Sequence, residues 1–388
     1  MKPYYISALA MSALITAACQ VDGPDVAGND APSQLAANAA PFTVEPVADF
    51  DEPWAMTFLP DGKSALVTEK SGKLILLTIG GEQRLVSGVP EVDYGGQGGL
   101  GDVILAPNFA EDNMVYLSWA EAGEGNARGA AVGRATLDTS GPAPALQNLE
   151  VIWRQYPKVS GRGHYGHRLA FSPDGKYLFI ASGERQKFDP AQDMASNMGK
   201  VVRLYPDGSI PEDNPFFVAA DVVKSQIWSL GHRNPLGITF DTNGNLWNQE
   251  MGPAGGDEIN LVQRGANYGY PNVSNGDHYD GTNIPDHSEG DGFTAPKAFW
   301  NPAISPGGLL YYTGDLFPEW KGSLFLGGLG AKNLVRVSVN GTELSKADAW
   351  PMRARIREVE QGPDGAIWLL EDGKRGSKGR LLKLTPTG

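Results

Sequence analysis

The sequence predicts an all-β chain folded as a six-bladed β-propeller. A hairpin-like unit recurs six times: an apolar run, a turn of the Pro-Asp-Gly kind, and a second run that closes on an acidic or small residue. Fifty Gly and 28 Pro are spread over 388 residues, and both punctuate a chain at turns rather than inside helices. No long segment keeps the apolar period of an amphipathic helix. A pair of β-sandwiches, or a ring of seven or eight blades, is the alternative that the same units allow.

The units run in order as MTFLPDGKSALVTEKSGKLILL (56 to 77), VILAPNFAEDNMVYLSWAE (103 to 121), LAFSPDGKYLFIASGE (169 to 184) and ITFDTNGNLWNQE (238 to 250). Two looser copies follow, LLYYTGDLFPEWKGSLFLGGLGAKNLVRV (309 to 337) and VEQGPDGAIWLLEDGKRGSKGRLLKL (359 to 384). Asp-Gly or Asn-Gly between two apolar runs is a short-range hairpin signal. One such unit cannot bury its faces alone, so neighbours must stack around an axis. The stretches 185 to 227 and 264 to 304 are long, rich in Pro, Asn and Asp, and carry no repeat turn. Long loops in a compact domain tend to be functional.

The N-terminal end reads differently. Lys2 precedes an apolar run from Ile6 to Ala18, followed by Cys19, the only Cys in the chain. Small residues ahead of a lone Cys resemble the lipobox of a bacterial lipoprotein signal peptide, with Thr16 where Leu is commoner. The expectation is a signal peptide over 1–18 and a lipid anchor on Cys19, with ordinary signal-peptide cleavage as the alternative; both export the protein, and the run is too short to span a bilayer. Residues 19–40 are small and polar, and read as a flexible tether. The propeller domain then occupies 41–388. With Cys19 spent there, the domain has no internal disulfide and no cysteine metal site. Its net charge is −13 and no basic tract appears, which argues against a nucleic-acid partner. An acidic surface also repels anionic ligands unless a local group of Arg reverses the field.

Candidate chemistry lies where the units meet loops. The chain turns on 228 to 271, where Arg233 and Asn234 precede a hairpin (strands Gly237 to Phe240 and Asn245 to Gln249) that empties into Glu250-Met251-Gly252-Pro253, then Asp257 and Glu258. Polar groups at both ends of an apolar hairpin suit a binding site on a rigid scaffold, or are simply its solvated ends. His164 stands before the third unit, placed to take a proton near neutral pH or to serve as a structural hydrogen-bonder. Arg355 and Arg357 share one face of an extended segment and could grip carboxylates bidentately, or lie on a solvated edge. The run Gly95-Gly96-Gln97-Gly98-Gly99 lacks dinucleotide-loop spacing and carries a single amide side chain, Gln97. Glu250, Glu258, Tyr268 and the carbonyls of Gly252 and Pro253 are hard oxygen donors that favour Ca²⁺ over zinc.

In this order, the strings GGQGGLGDV, His164-x-x-x-Arg168-Leu169, AQDMASNMGKVVRLYPDGSIPEDNPF, GHRNPLGITF, Gly252-Pro253 with Asp257-Glu258-Ile259-Asn260, NYGYP and Arg355-x-Arg357 resemble the soluble glucose/sorbosone dehydrogenase family. These are quinoprotein aldose sugar dehydrogenases that use pyrroloquinoline quinone (PQQ), and the resemblance covers about residues 45 to 385. It implies that His164 is the base that removes a sugar hydroxyl proton while hydride from C1 passes to the quinone. It implies cofactor contacts from Gln97, Arg168, Arg233, Asn234, Arg355 and Arg357, with Lys332, two positions from a family lysine, as a further candidate. It implies Ca²⁺ ligands in Gly252 and Pro253, and a second Ca²⁺ site at Glu258 and Tyr268. The sequence departs from the glucose-oxidising relative at Met251 (Gln there), His167 (Gly) and Asn301-Pro302 (Trp-Pro), so a broad or different sugar preference is expected. The electron acceptor is left open between a membrane quinone and a soluble carrier. Two other classes remain: a Ca²⁺-dependent propeller hydrolase such as a lactonase, needing an axial ring of ligands that could include Asn234 and Glu250, and a non-catalytic binding propeller.

Overall fold

The computed structural model describes residues 40–141 and 143–387. The expected signal peptide (1–18), Cys19 and almost all of the tether lie outside the described residues. The rest forms six four-stranded antiparallel sheets. The first strand of each is Pro53–Phe58, Leu100–Leu105, Gly166–Phe171, Pro235–Phe240, Pro306–Tyr311 and Ile356–Gln361. Each of these packs against its two neighbours, and the sixth meets the first, so they line the axis of a closed six-bladed ring. Each predicted unit covers the two inner strands of a blade, and the first, fifth and sixth units run on into the third strand. Blade four starts earlier and ends later than the hairpin drawn from sequence, with strands Pro235–Phe240 and Leu246–Glu250.

The turns explain why these segments pair. Asp61 Oδ1 accepts the backbone N–H groups of Lys63 and Ser64 at 2.8 and 2.9 Å, and Gly62 takes φ 65°, a conformation a side chain would strain. Asp241 does the same for Asn243 and Asn245, and its second oxygen accepts the indole N–H of Trp247 at 3.0 Å.

The core is a ring of layers between blades. Blades one and two enclose Trp54, Leu66, Leu117 and Trp119, and comparable clusters fill the other five interfaces. Burying each such side chain stabilises by about 1.5–3 kcal/mol. The ring closes through the chain's own ends, because Phe42–Asp49 is the outermost strand of the sixth blade and pairs with Arg380–Pro386.

All six inner strands share an irregularity. The pairing register shifts after the first residue of each, at Pro53, Leu100, Gly166, Pro235, Pro306 and Ile356. Bulges there re-aim side chains. Trp54, Asp102, Arg168 and Arg357 all sit at these shifts, at one end of the ring.

Candidate active site at the mouth of the ring

His164 precedes the inner strand of blade three, with φ 47°, and its side chain is buried. Its Nδ1 lies 2.5 Å from Glu184 Oε1, and its backbone N–H donates to Gln97 Oε1 at 2.8 Å. Glu184 Oε2 is fixed in turn by the N–H groups of Lys187 and Phe188. A carboxylate that accepts Nδ1–H leaves the second ring nitrogen, Nε2, as the proton acceptor. Burial and the charge of Arg233 hold the imidazole below its ordinary pKa, so it is neutral at neutral pH. Burial alone would raise the Glu184 carboxyl, but the His164 hydrogen bond and nearby charges keep it below its usual range. A base poised this way can remove a proton from an alcohol.

Arg233 approaches from blade four. Its carbonyl accepts the Glu184 N–H at 2.9 Å, and its guanidinium lies 5.7 Å from the rings of both Tyr270 and Tyr279. Its Nη1 donates to the Met251 and Gly252 carbonyls at 3.0 and 2.6 Å, while its buried Nε has no hydrogen-bond partner among the described residues. Asn234 is fully buried, with neither side-chain polar atom hydrogen-bonded. Arg355 and Arg357 do share a face, and both donate to Asp372, at 2.9 and 2.8 Å through their Nε atoms. They connect to the base through Lys70, which feels the charge of Arg357 and donates to the Gly96 carbonyl at 2.8 Å, next to Gln97. Residues far apart in sequence thus meet at one end of the ring.

One expectation needs correction, and three further side chains are placed more closely. Arg168 lies in the axial collar rather than open to a ligand: it stacks 4.0 Å over Trp54 and pairs with Glu358 and with Asp102, the latter at 3.2 Å. The bulge at blade three turns it onto these carboxylates. Lys332 is exposed, in the loop that enters the third strand of blade five and whose Leu329 carbonyl accepts from Arg355. The Tyr268 hydroxyl donates to the Leu261 carbonyl and accepts the Gln263 N–H, and its ring stacks on His232 at 4.7 Å, so the backbone carbonyl is the oxygen it can offer a cation in the cavity it shares with Glu258. The His167 ring is held by Ser118 at 2.7 Å and stacked on Trp54, so it belongs to the wall.

The oxygen-rich stretch divides by role. Asp257 is a staple, accepting the N–H groups of Gly252, Ile304 and Ser305. Glu250 and Glu258 face each other across two strands and line a narrow cavity with Arg233, Gly252 and Tyr268. Burial and the Glu250 charge push Glu258 well above its ordinary pKa. Asn260 donates to both carboxylates, and its own Oδ1 is buried without a partner. This donor set fits a hard divalent cation such as Ca²⁺. The Gly252 carbonyl keeps one lone pair beyond its bond to Arg233. Among the described residues no three His, Cys, Asp or Glu side chains converge as a metal site. Glu250 also accepts from Asn260 and from the Arg233 N–H, and pairs with His232.

Sequence reasoning did not single out Glu184, Lys70 or Asp372. The signal for Glu184 was present. It closes the third repeat as Glu250 closes the fourth, and a residue ending the second strand of a blade stands at the mouth.

The closed ring thus carries a buried histidine–carboxylate pair and several guanidinium groups at one mouth. The chain belongs to the Glucose / Sorbosone dehydrogenase family, whose model matches residues 50–383. It is 41% identical over 363 residues to aldose sugar dehydrogenase YliI of Escherichia coli (strain K12), covering 91% of this chain and 95% of that one. It is 32% identical over 261 residues to quinoprotein glucose dehydrogenase B of Acinetobacter calcoaceticus, covering 59% and 52%. Among solved structures, the apo-form of the soluble aldose sugar dehydrogenase from Escherichia coli superposes with a TM-score of 0.84 at 40% identity, over 89% of this chain and all of that one. The PQQ-bound aldose sugar dehydrogenase from Streptomyces coelicolor gives 0.74 at 29% identity, over 89% and 98%. The protein is therefore an oxidoreductase of the sugar dehydrogenase class.

Proposed function

We propose that this protein oxidises the C1 hydroxyl of an aldose to the lactone, with PQQ as electron acceptor and Ca²⁺ bound beside it. The observation that carries the reading is the buried His164–Glu184 pair under the field of Arg233. The quinone supplies a two-electron acceptor for hydride. Everything else falls to the chain. His164 Nε2 takes the hydroxyl proton, and Glu184 orients the ring and stabilises the imidazolium that forms. Gln97 fixes the His164 backbone. Arg355 and Arg357 offer a carboxylate-binding face, and among the described residues the Arg233 Nε and the Asn234 amide have no hydrogen-bond partner. Ca²⁺ beside the quinone would be held by the Gly252 and Pro253 carbonyls, and a second Ca²⁺ by Glu258 with Tyr268.

The test mixes apoprotein, Ca²⁺ and PQQ with a series of aldoses and a redox dye. Dye reduction with at least one aldose is expected; none at cofactor saturation refutes the reading. His164→Gln should retain cofactor but lose turnover by about 10²–10⁴-fold.

We also propose that the protein is exported and held at a membrane through a lipid on Cys19, an inference from residues 1–40 alone. Cys19→Ala should move the protein from the membrane to the soluble fraction, and an unchanged distribution would refute the anchor.

A further inference from the structure

The loops leaving the first and last blades gather four cations around two carboxylates. Asp372 is shared by Arg355 and Arg357. Glu52 Oε2 is shared by Lys374 at 2.8 Å and Lys70 at 3.5 Å. Lys374 is 40% exposed and water solvates it, but the Lys70 side chain is only 5% exposed. Its one close hydrogen bond is to the neutral Gly96 carbonyl at 2.8 Å. Burial, Arg357 and Lys374 together bring the ammonium down to about 8. Glu52 and Asp372 oppose this, but Glu52 is shared with Lys374 and Asp372 with two arginines, so the buried cation is incompletely compensated. Negative charge arriving from a ligand would complete it. The position suits this, because Lys70 stands between the arginine pair and the Gly96-Gln97 segment that holds His164. Lys332, the lysine expected in such a role from sequence, is exposed and outside this group.

We propose that Lys70 is the third cation, with Arg355 and Arg357, of a clamp for the carboxylates of the quinone cofactor, filling the role expected of Lys332. The proposal rests on the quinone reading above. It makes Lys70 a binding residue, not a proton-transfer group.

The test measures PQQ affinity by calorimetry in the presence of Ca²⁺, and the thermal midpoint of the apoprotein, for wild type, Lys70→Met, Lys70→Arg and Lys332→Met. Lys70→Met should weaken binding by about tenfold or more, the scale of one charge-assisted contact. Lys70→Arg should recover most of that loss, and Lys332→Met should leave affinity within about twofold of wild type. The apoprotein midpoint of Lys70→Met should be unchanged or higher, since an uncompensated cation has been removed. A purely structural lysine would instead lower the midpoint and leave affinity alone, and that pattern overturns the proposal. So does a tenfold loss on Lys332→Met with none on Lys70→Met. If wild type takes up PQQ normally and Lys70→Met matches it, only the clamp falls; if wild type takes up none, the quinone reading falls first.

Discussion

At the scale of single residues, the account turns on how Glu184 acts through His164. The carboxylate raises the imidazole's proton affinity while burial and Arg233 lower it, and the lowering wins. The working base is therefore unprotonated across neutral pH, and turnover should fall only as pH drops below the ordinary imidazole value of about 6.5. The same shift enters stability. A histidine whose folded pKa lies below its unfolded one stabilises the fold above the unfolded value, and that contribution disappears as pH falls through the folded one. Glu184→Gln removes a group that raises the pKa, so the acid limb of kcat should move further down while kcat itself falls by about 10²–10⁴-fold with KM little changed. A pH–rate series on this variant checks both; an acid limb that moves up contradicts the assignment. His164 was legible from its place before a repeat turn, whereas Glu184 was not, because nothing in one sequence says which of several strand-terminal acids reaches which imidazole.

At the scale of elements, the repeated bulge decides which polar side chains serve the site and which serve the fold. Arg168 and Arg357 both stand at bulges on inner strands. Arg168 is enclosed by Asp102, Glu358 and Trp54, with burial pushing Glu358 up to about 7 despite the guanidinium. Arg357 stays at the rim on Asp372. Strand alternation read from sequence cannot foresee this, since a bulge changes the side to which a residue points. Arg168→Met should leave Asp102 and Glu358 unpaired and destabilise by about 3–5 kcal/mol. Chemical denaturation measures it, with PQQ affinity of the folded fraction expected to hold; a large affinity loss with normal stability would return Arg168 to the cofactor site.

At the scale of the whole molecule, the site exists because the ring is closed. Gln97, His164, Arg233 and Arg357 come from loops and strand ends on different blades, and only stacking around one axis brings them together. Six blades were legible because the inner hairpins recur and several carry an Asp-Gly or Asn-Gly turn. The closure was not, because the sixth blade borrows Phe42–Asp49 from the other end of the chain and that strand has no repeat turn. Phe42 packs edge-on to Trp320 and Trp350, with ring centroids 6.1 and 5.4 Å away. Phe42→Ala should cost about 3–5 kcal/mol and lower the thermal midpoint of the whole domain in one cooperative transition. A separate early transition confined to the sixth blade would show instead that the ring is not a single cooperative unit.

The most direct trial of the central claim, a histidine base working beside a flat redox group at the ring's mouth, is an absorbance titration of apoprotein with PQQ and Ca²⁺, followed by addition of an aldose. Wild type and His164→Gln should both take up the cofactor, and only wild type should show rapid reduction of its spectrum by the sugar. Failure of wild type to take up PQQ, or equal reduction rates in the two proteins, would contradict the account.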